Sequence, residues 1–147
     1  MWRSLTDDDL RSAISAAEEA SFRTKLLGEG QADPFAVIFA QVTKNFRDAI
    51  RANPANELDP DEATLPEGAI FHAVAIVRHR LCGRFNAGEQ TETRRDEYKE
   101  ATAWLKAVPS GPPVEPPGTA TAVKKNLPAP AVNQSPRRDG WRDQDGI

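Results

Sequence analysis

The amino-acid sequence predicts an all-α fold: a body of four helices over residues 1–108, followed by an extended proline-rich C-terminal arm over residues 109–147. Three observations lead to this prediction. Apolar residues in the first part recur at three- and four-residue steps, the spacing of one helix face. Capping residues and glycine or proline breakers flank these stretches. Eight of the 12 prolines lie from Pro109 onward, where large apolar residues are sparse.

The first helix is predicted to begin after Thr6. Thr6 is a natural N-cap residue, and Asp9 stands at the position where a carboxylate completes a capping box. The residues expected on its apolar face are Leu10, Ile14 and Ala17. The helix is expected to continue without interruption until Gly28 and Gly30 end it.

The second helix has the strongest periodicity. Asp33 is its expected cap, Pro34 occupies the first turn, and Asn53 with Pro54 ends it. Its apolar stripe consists of Phe35, Ile38, Phe39, Val42, Phe46, Ala49 and Ile50. The charged residues predicted on the opposite side are Lys44, Arg47, Asp48 and Arg51. A polar loop is expected over residues 53–65.

The third and fourth helices complete the predicted body. The third opens at Pro66, and Phe71 and Phe85 are expected to widen its buried face. That face consists of Ile70, Ala73, Val74, Val77 and Leu81. The fourth runs from about Thr91 or Thr93 to Val108, with Trp104 beside its apolar positions. Those positions are Tyr98, Ala101, Leu105 and Val108.

The arm opens with the segment PSGPPVEPP, residues 109–117. Its composition cannot bury enough apolar surface to offset the entropy of ordering, so the isolated arm is expected to be disordered or polyproline-like. Fully extended at about 3.1 Å per residue, it could span on the order of 120 Å.

Composition narrows the functional classes. The net charge of −3 argues against a general DNA-binding protein, because such proteins usually carry a basic stripe that contacts phosphates. An acidic surface would instead suit the wall of a channel past which DNA slides. No apolar run approaches the roughly 20 residues of a membrane helix. The residues after Trp2 turn acidic where a signal peptide would turn apolar, so synthesis and folding in a cytoplasm are expected.

Few residues suggest chemistry. His72, His79 and Cys82 could share one helix face, yet no fourth ligand stands at the spacing of a zinc motif. Two half-buried histidines and a small buried cysteine are the favoured interpretation, and no cofactor is expected. Nucleophile and phosphate-loop motifs are lacking, and the acids Asp59, Asp61 and Glu62 are expected to be solvated, so no enzymatic activity is expected.

Two groups of residues are candidates for protein contacts. Arg78, Arg80 and Arg84 form a basic stretch that either meets a neighbouring subunit or is ordinary solvated charge. The terminal segment ends with residues typical of interface anchors, which favours a docking peptide over an inert tail. Those residues are Arg137, Arg138, Trp141, Arg142 and Ile147.

Two segments, FHAVAIVRHRL (residues 71–81) and RDEYKEATAWL (residues 95–105), resemble the small helical head–tail connector proteins of tailed bacteriophages. In that family a helix of the type A-x-x-R-x-x-L is followed by a short turn and a helix of the type R-x-x-Y-x-x-A-x-x-W-L. The matching residues here are Arg78, Leu81, Tyr98, Ala101, Trp104 and Leu105. The opening segment LTDDDL, residues 5–10, is similar to the first helix of such proteins, and the ending DQDGI, residues 143–147, to the tail of some relatives. The loop 53–65 and the long arm depart from the family pattern.

The resemblance implies a virion protein of the phage neck. It would form a ring of twelve copies under the portal protein and would present a surface to the next neck or tail protein, while DNA passes through without specific binding. The alternative is a tail-assembly chaperone or another non-enzymatic assembly factor. A small nucleic-acid-binding regulator is a third possibility, against which the acidic balance counts.

Overall fold

The computed structural model describes residues 1–24, 33–85 and 90–118. Within these ranges the chain is mostly helical, with five α-helices and one two-stranded antiparallel sheet. The elements are β1 (Trp2–Ser4), α1 (Asp7–Arg11), α2 (Ala16–Thr24), α3 (Pro34–Arg51), β2 (Thr64–Pro66), α4 (Glu67–Phe85) and α5 (Glu92–Ala107), with a 3₁₀ turn at Val108–Ser110. The predicted mostly helical fold is confirmed. Within the described residues the structure adds a small two-stranded sheet to the predicted all-α body and has five α-helices where four were predicted.

The core lies where α4 packs against α3 on one side and α5 on the other. Phe35, Val42 and Phe46 of the predicted α3 stripe are buried, but Phe39 is only half-buried. Phe46 also stacks on Trp104 of α5, with ring centroids 5.4 Å apart. The predicted buried face of α4 is confirmed, and it belongs to the same cluster. None of the helices in the described ranges is long and apolar enough to cross a lipid bilayer.

The predicted first helix is two helices. The Thr6–Asp9 capping box is present and starts α1, but α1 ends at Arg11, where the Ser12 hydroxyl donates to the carbonyl of Asp9 at 2.6 Å. A second capping box then starts α2, because Ser15 Oγ accepts from the Glu18 amide and the Glu18 carboxylate accepts from the Ser15 amide. Gly28 and Gly30, the predicted end of this region, lie outside the described residues.

The small sheet joins the start of the chain to the end of the polar loop. Trp2 pairs with Pro66 and Ser4 with Thr64 in an antiparallel register. Arg47 of α3, which the helical pattern placed on the polar side, is instead only 4% exposed. Its guanidinium donates to three backbone carbonyls of the loop that leads into β2, with nitrogen–oxygen distances of 2.7–2.9 Å. The carbonyls belong to Asp59, Asp61 and Thr64.

The beginning of the arm is bound to the body. Asn53 Nδ2 donates to the carbonyl of Gly111 at 3.0 Å, and Asn56 Oδ1 accepts from the Val114 amide at 2.8 Å. Trp2 Nε1 donates to the carbonyl of Glu115 at 2.7 Å. The chain after Val108 therefore stays on the body at least to Glu115, which we call the arm root (residues 108–115). Gly118 then adopts a φ of 80°, a left-handed conformation that favours glycine.

Candidate interaction surface

A groove of about 580 Å³ runs along α4 between α1 and the start of α5, and we call it the α4 groove. Its floor is apolar and is made by Ile70, Val74 and Ala75. Arg3 and Asp9 border it on one side, and Thr91 and Arg94 border it on the other. The groove thus combines an apolar floor with polar walls, which is the usual composition of a binding surface.

Ion pairs hold the walls of the α4 groove in place. Arg3 donates to both carboxylate oxygens of Asp9 at 2.7 and 2.8 Å, and this hydrogen bonding lowers the pKa of Asp9 to about 2. Arg94 donates to both carboxylate oxygens of Glu18 at 2.5 and 2.9 Å, which ties α5 to α2. Bidentate pairs of this kind fix geometry as well as adding energy. The groove is therefore a preformed feature of the fold.

Phe71 is the most unusual residue of this surface. It lines the α4 groove and is 56% exposed, although the sequence predicted that it would widen the buried face of α4. The prediction was wrong because Phe71 lies one position beyond the buried Ile70 and turns away from α3 and α5. The other exposed large apolar side chains of the described residues are Met1 and Val37. An exposed phenylalanine at the edge of an apolar groove is a feature of contact surfaces.

The three predicted interface arginines of α4 lie in different environments. Arg78 is 6% exposed, pairs with Glu97 of α5 and donates to the carbonyl of Ala13 at 3.3 Å. Arg78 therefore makes contacts inside its own chain. It neither meets a neighbouring subunit nor lies in solvent, which were the two roles that the sequence suggested. Arg80 is half-buried, and Arg84 is exposed with its guanidinium 5.9 Å from the Phe85 ring. Arg80 and Arg84 remain candidates for a contact with a neighbouring subunit.

The terminal candidates lie outside the described residues. The structure therefore describes no contact of Arg137, Arg138, Trp141, Arg142 or Ile147.

His72 and His79 serve packing between α4 and α5. His72 stacks on Trp104 with centroids 5.4 Å apart, and His79 stacks on Tyr98 at 3.8 Å. Burial lowers the pKa of His72, partly opposed by the charge of Glu100. The Nδ1 atoms of both histidines are buried and make no hydrogen bond to the described residues.

Cys82 is buried, and burial raises the pKa of its thiol, so it is poorly suited to act as a thiolate ligand or nucleophile. In the described ranges, no three histidine, cysteine, aspartate or glutamate side chains come together as metal ligands.

The acids of the loop 53–65 have local structural roles. Asp59 Oδ1 accepts from the Asp61 amide and Asp61 Oδ1 accepts from the Ala63 amide, both at 2.9 Å. These side-chain-to-backbone bonds shape the turns that lead into β2.

The residues that carry the family resemblance meet along the contact between α4 and α5, which we call the α4–α5 seam. Leu81 and Ala101 are fully buried there, and Leu105 is partly buried against the core. Arg78, Tyr98 and Trp104 reach across the seam through the Glu97, His79 and His72 contacts. Comparison of the chain with protein-family models, curated proteins and solved structures finds no match.

Proposed function

We propose that this protein is a non-enzymatic head–tail adaptor of a tailed bacteriophage. It occupies the neck of the virion as one copy in a ring of twelve beneath the portal protein, and it contacts the next neck or tail protein. DNA passes through the ring without specific binding. The observation that carries the proposal is the α4–α5 seam, where the six matching residues named above lie together.

The seam supports this function because a ring subunit needs a rigid wedge of fixed shape. Two long helices fastened by an ion pair and two aromatic stacks provide that rigidity. The arginine, tyrosine and tryptophan of the pattern each make one of these contacts. The polar groups of the described residues that could carry chemistry are engaged in packing, turns and ion pairs, which favours a structural role over a catalytic one.

Half-buried Arg80 and exposed Arg84 are suited to a contact between subunits. They lie one turn apart on α4 and, unlike Arg78, make no contact in the α4–α5 seam among the described residues. A neighbouring copy of this acidic chain offers carboxylates to pair with them. We therefore assign these two residues to the contact between adjacent copies in the ring.

Mass spectrometry of purified particles tests the proposal directly. An adaptor is present at a fixed ratio to the portal protein, whereas a tail-assembly chaperone is present during assembly and missing from the finished particle. Absence of the chain from particles, together with its presence in lysates during assembly, would refute the adaptor role.

A pair of double variants tests the ring contact. Arg80→Glu with Arg84→Glu should lower incorporation into particles roughly tenfold, which corresponds to about 1.4 kcal/mol per copy. The control is Lys99→Glu with Lys106→Glu, which makes the same charge change at two exposed positions of α5. Both proteins should keep wild-type helical content by circular dichroism. Equal incorporation of the two would remove the arginines from the contact.

A further inference from the structure

Three side chains of the body bind the arm root, and we call them the root site (Trp2, Asn53 and Asn56). All three make hydrogen bonds to the main chain of the arm root, at distances of 2.7–3.4 Å. The Val114 side chain also packs against the apolar cluster to which Trp2 belongs. The root site therefore recognises an extended backbone together with an apolar side chain.

The body holds the root site in its binding geometry. Asn53 Oδ1 accepts from the Ala55 amide at 3.0 Å, and Asn56 Nδ2 donates to the carbonyl of Ile50 at 2.8 Å. Each asparagine thus uses one end of its amide to fix itself in the turn after α3 and the other end to bind the arm root. Trp2 is fixed by the pairing of β1 with β2. A site whose donors and acceptors are already in place loses little entropy when it binds its ligand.

The segment in the root site has the sequence of a polyproline-type ligand. Residues 112–117 read PPVEPP, which contains the spacing P-x-x-P. Prolines restrict the backbone before binding, and aromatic side chains are the usual partners of such segments. Here the indole of Trp2 donates to the carbonyl of Glu115, and the Glu115 carboxylate adds an ion pair with the Met1 ammonium group at 2.7 Å. The ligand class of the root site is therefore an extended, proline-flanked peptide.

Every copy of the chain carries both the root site and its ligand. A segment that binds in a second copy remakes the contacts that it loses at its own site, because the two sites are identical. The short connection to α5 gives the segment a local concentration on the order of 1 mM or more at its own site, so this site is filled first in dilute solution. Copies held side by side at a comparable concentration remove that advantage.

We propose that the root site is an exchangeable peptide site. It binds residues 111–115 of its own chain in the free protein, and it binds the same segment of a second copy when copies are held together. Exchange of this kind joins two bodies through contacts that each copy already makes. It does not depend on a role in a phage neck, because it concerns the full-length chain in solution.

A peptide experiment tests whether the site binds the segment without a covalent connection. Full-length Val114→Pro lacks the amide that donates to Asn56, so the segment should leave the root site. The indole N–H signal of Trp2, identified by its loss in Trp2→Phe, should then shift in the NMR spectrum. A peptide of residues 109–118 should return this signal to its wild-type position with a Kd on the order of 1 mM.

The same peptide with Val114→Pro is the matched control and should bind at least about tenfold more weakly, because it lacks the amide donor. Wild-type protein, whose site is filled, should also bind the unchanged peptide at least about tenfold more weakly. The proposal is overturned by an indole signal that does not shift in full-length Val114→Pro, that ignores the peptide at about 5 mM, or that responds equally to both peptides.

A mixture of two full-length chains tests exchange between copies. Isotope-labelled Val114→Pro has an intact site and a weakened segment, whereas unlabelled Trp2→Phe has an intact segment and a weakened site. At about 1 mM of each, the unlabelled chain should return the labelled Trp2 signal part of the way to its wild-type position. The unlabelled double variant Trp2→Phe with Val114→Pro is the matched control and should leave the signal unchanged.

Asn56→Ala, which removes the acceptor of the Val114 amide, replaces Trp2→Phe as the donor chain if Trp2→Phe loses helical content by circular dichroism. Its control is again the double variant with Val114→Pro. A labelled chain that responds to the peptide but not to the donor chain, or that responds equally to the donor and its control, overturns exchange between copies.

Discussion

Replacing Arg47 by methionine should destabilise the protein strongly. Arg47 is 4% exposed, and its guanidinium donates to the carbonyls of Asp59, Asp61 and Thr64. Methionine would fill much of the space but would leave three acceptors without their donor. A hydrogen bond to a charged group contributes about 1.5–3 kcal/mol, and water can replace part of that at the two bonds that are only partly buried. We expect a loss of about 3–5 kcal/mol in the free energy of unfolding.

Urea denaturation followed by circular dichroism measures this loss as a lower midpoint. Arg51→Met is the matched control, because it makes the same chemical change one turn later on α3 at a side chain that is 58% exposed and pairs with Asp48. That exposed pair should contribute less than about 1 kcal/mol. The amides around residues 61–64 should also exchange faster in the Arg47 variant alone. Midpoints that shift equally in the two variants would refute the claim that Arg47 anchors the loop.

Two further changes test the core and the α4–α5 seam. Phe46→Ala should cost about 3–5 kcal/mol of unfolding free energy in urea, because Phe46 is fully buried and stacks on Trp104, and a loss under about 1 kcal/mol would contradict its place in the core. Because burial lowers the pKa of His72, the unfolded chain binds the proton more readily, so stability should fall as the pH drops below about 6.5. His72→Gln should flatten this dependence between about pH 7 and 5.5, and an unchanged slope would contradict the assignment.

The helices with strong periodicity were predictable from the sequence. The stripe of α3 and the predicted buried positions of α4 follow from apolar spacing. The sequence did not show that α4 is buried on its other sides too, where Ala75, Ile76 and Arg78 lie. The break between α1 and α2 was not predicted, although Ser15 and Glu18 have the spacing of a capping box. The four- and three-residue steps from Leu10 through Ile14 to Ala17 suggested a continuous helix, and the cap in its middle was overlooked.

Other features leave little trace in a sequence. The partners of Arg47 are backbone carbonyls, which any residue provides, so nothing in the sequence marks them. The sequence therefore could not show that Arg47 is buried whereas Lys44, one turn earlier, is exposed. The strands β1 and β2 have three residues each, too few to show an alternating pattern. The orientation of Phe71 was predicted wrongly, because Phe71 lies one position away from the buried Ile70 and is exposed at the α4 groove.

The arm root has a mechanical consequence. A force that pulls on the chain beyond Gly118 meets the hydrogen bonds of Glu115 and Val114 before it reaches the covalent connection to α5. Those bonds lead to Trp2 in β1 and to Asn56 in the loop after α3, so the load divides between two segments of the body. Where the two bonds carry the load together, the junction is stronger than either bond alone. A tether built in this way transmits tension to the folded core without first unwinding its last helix.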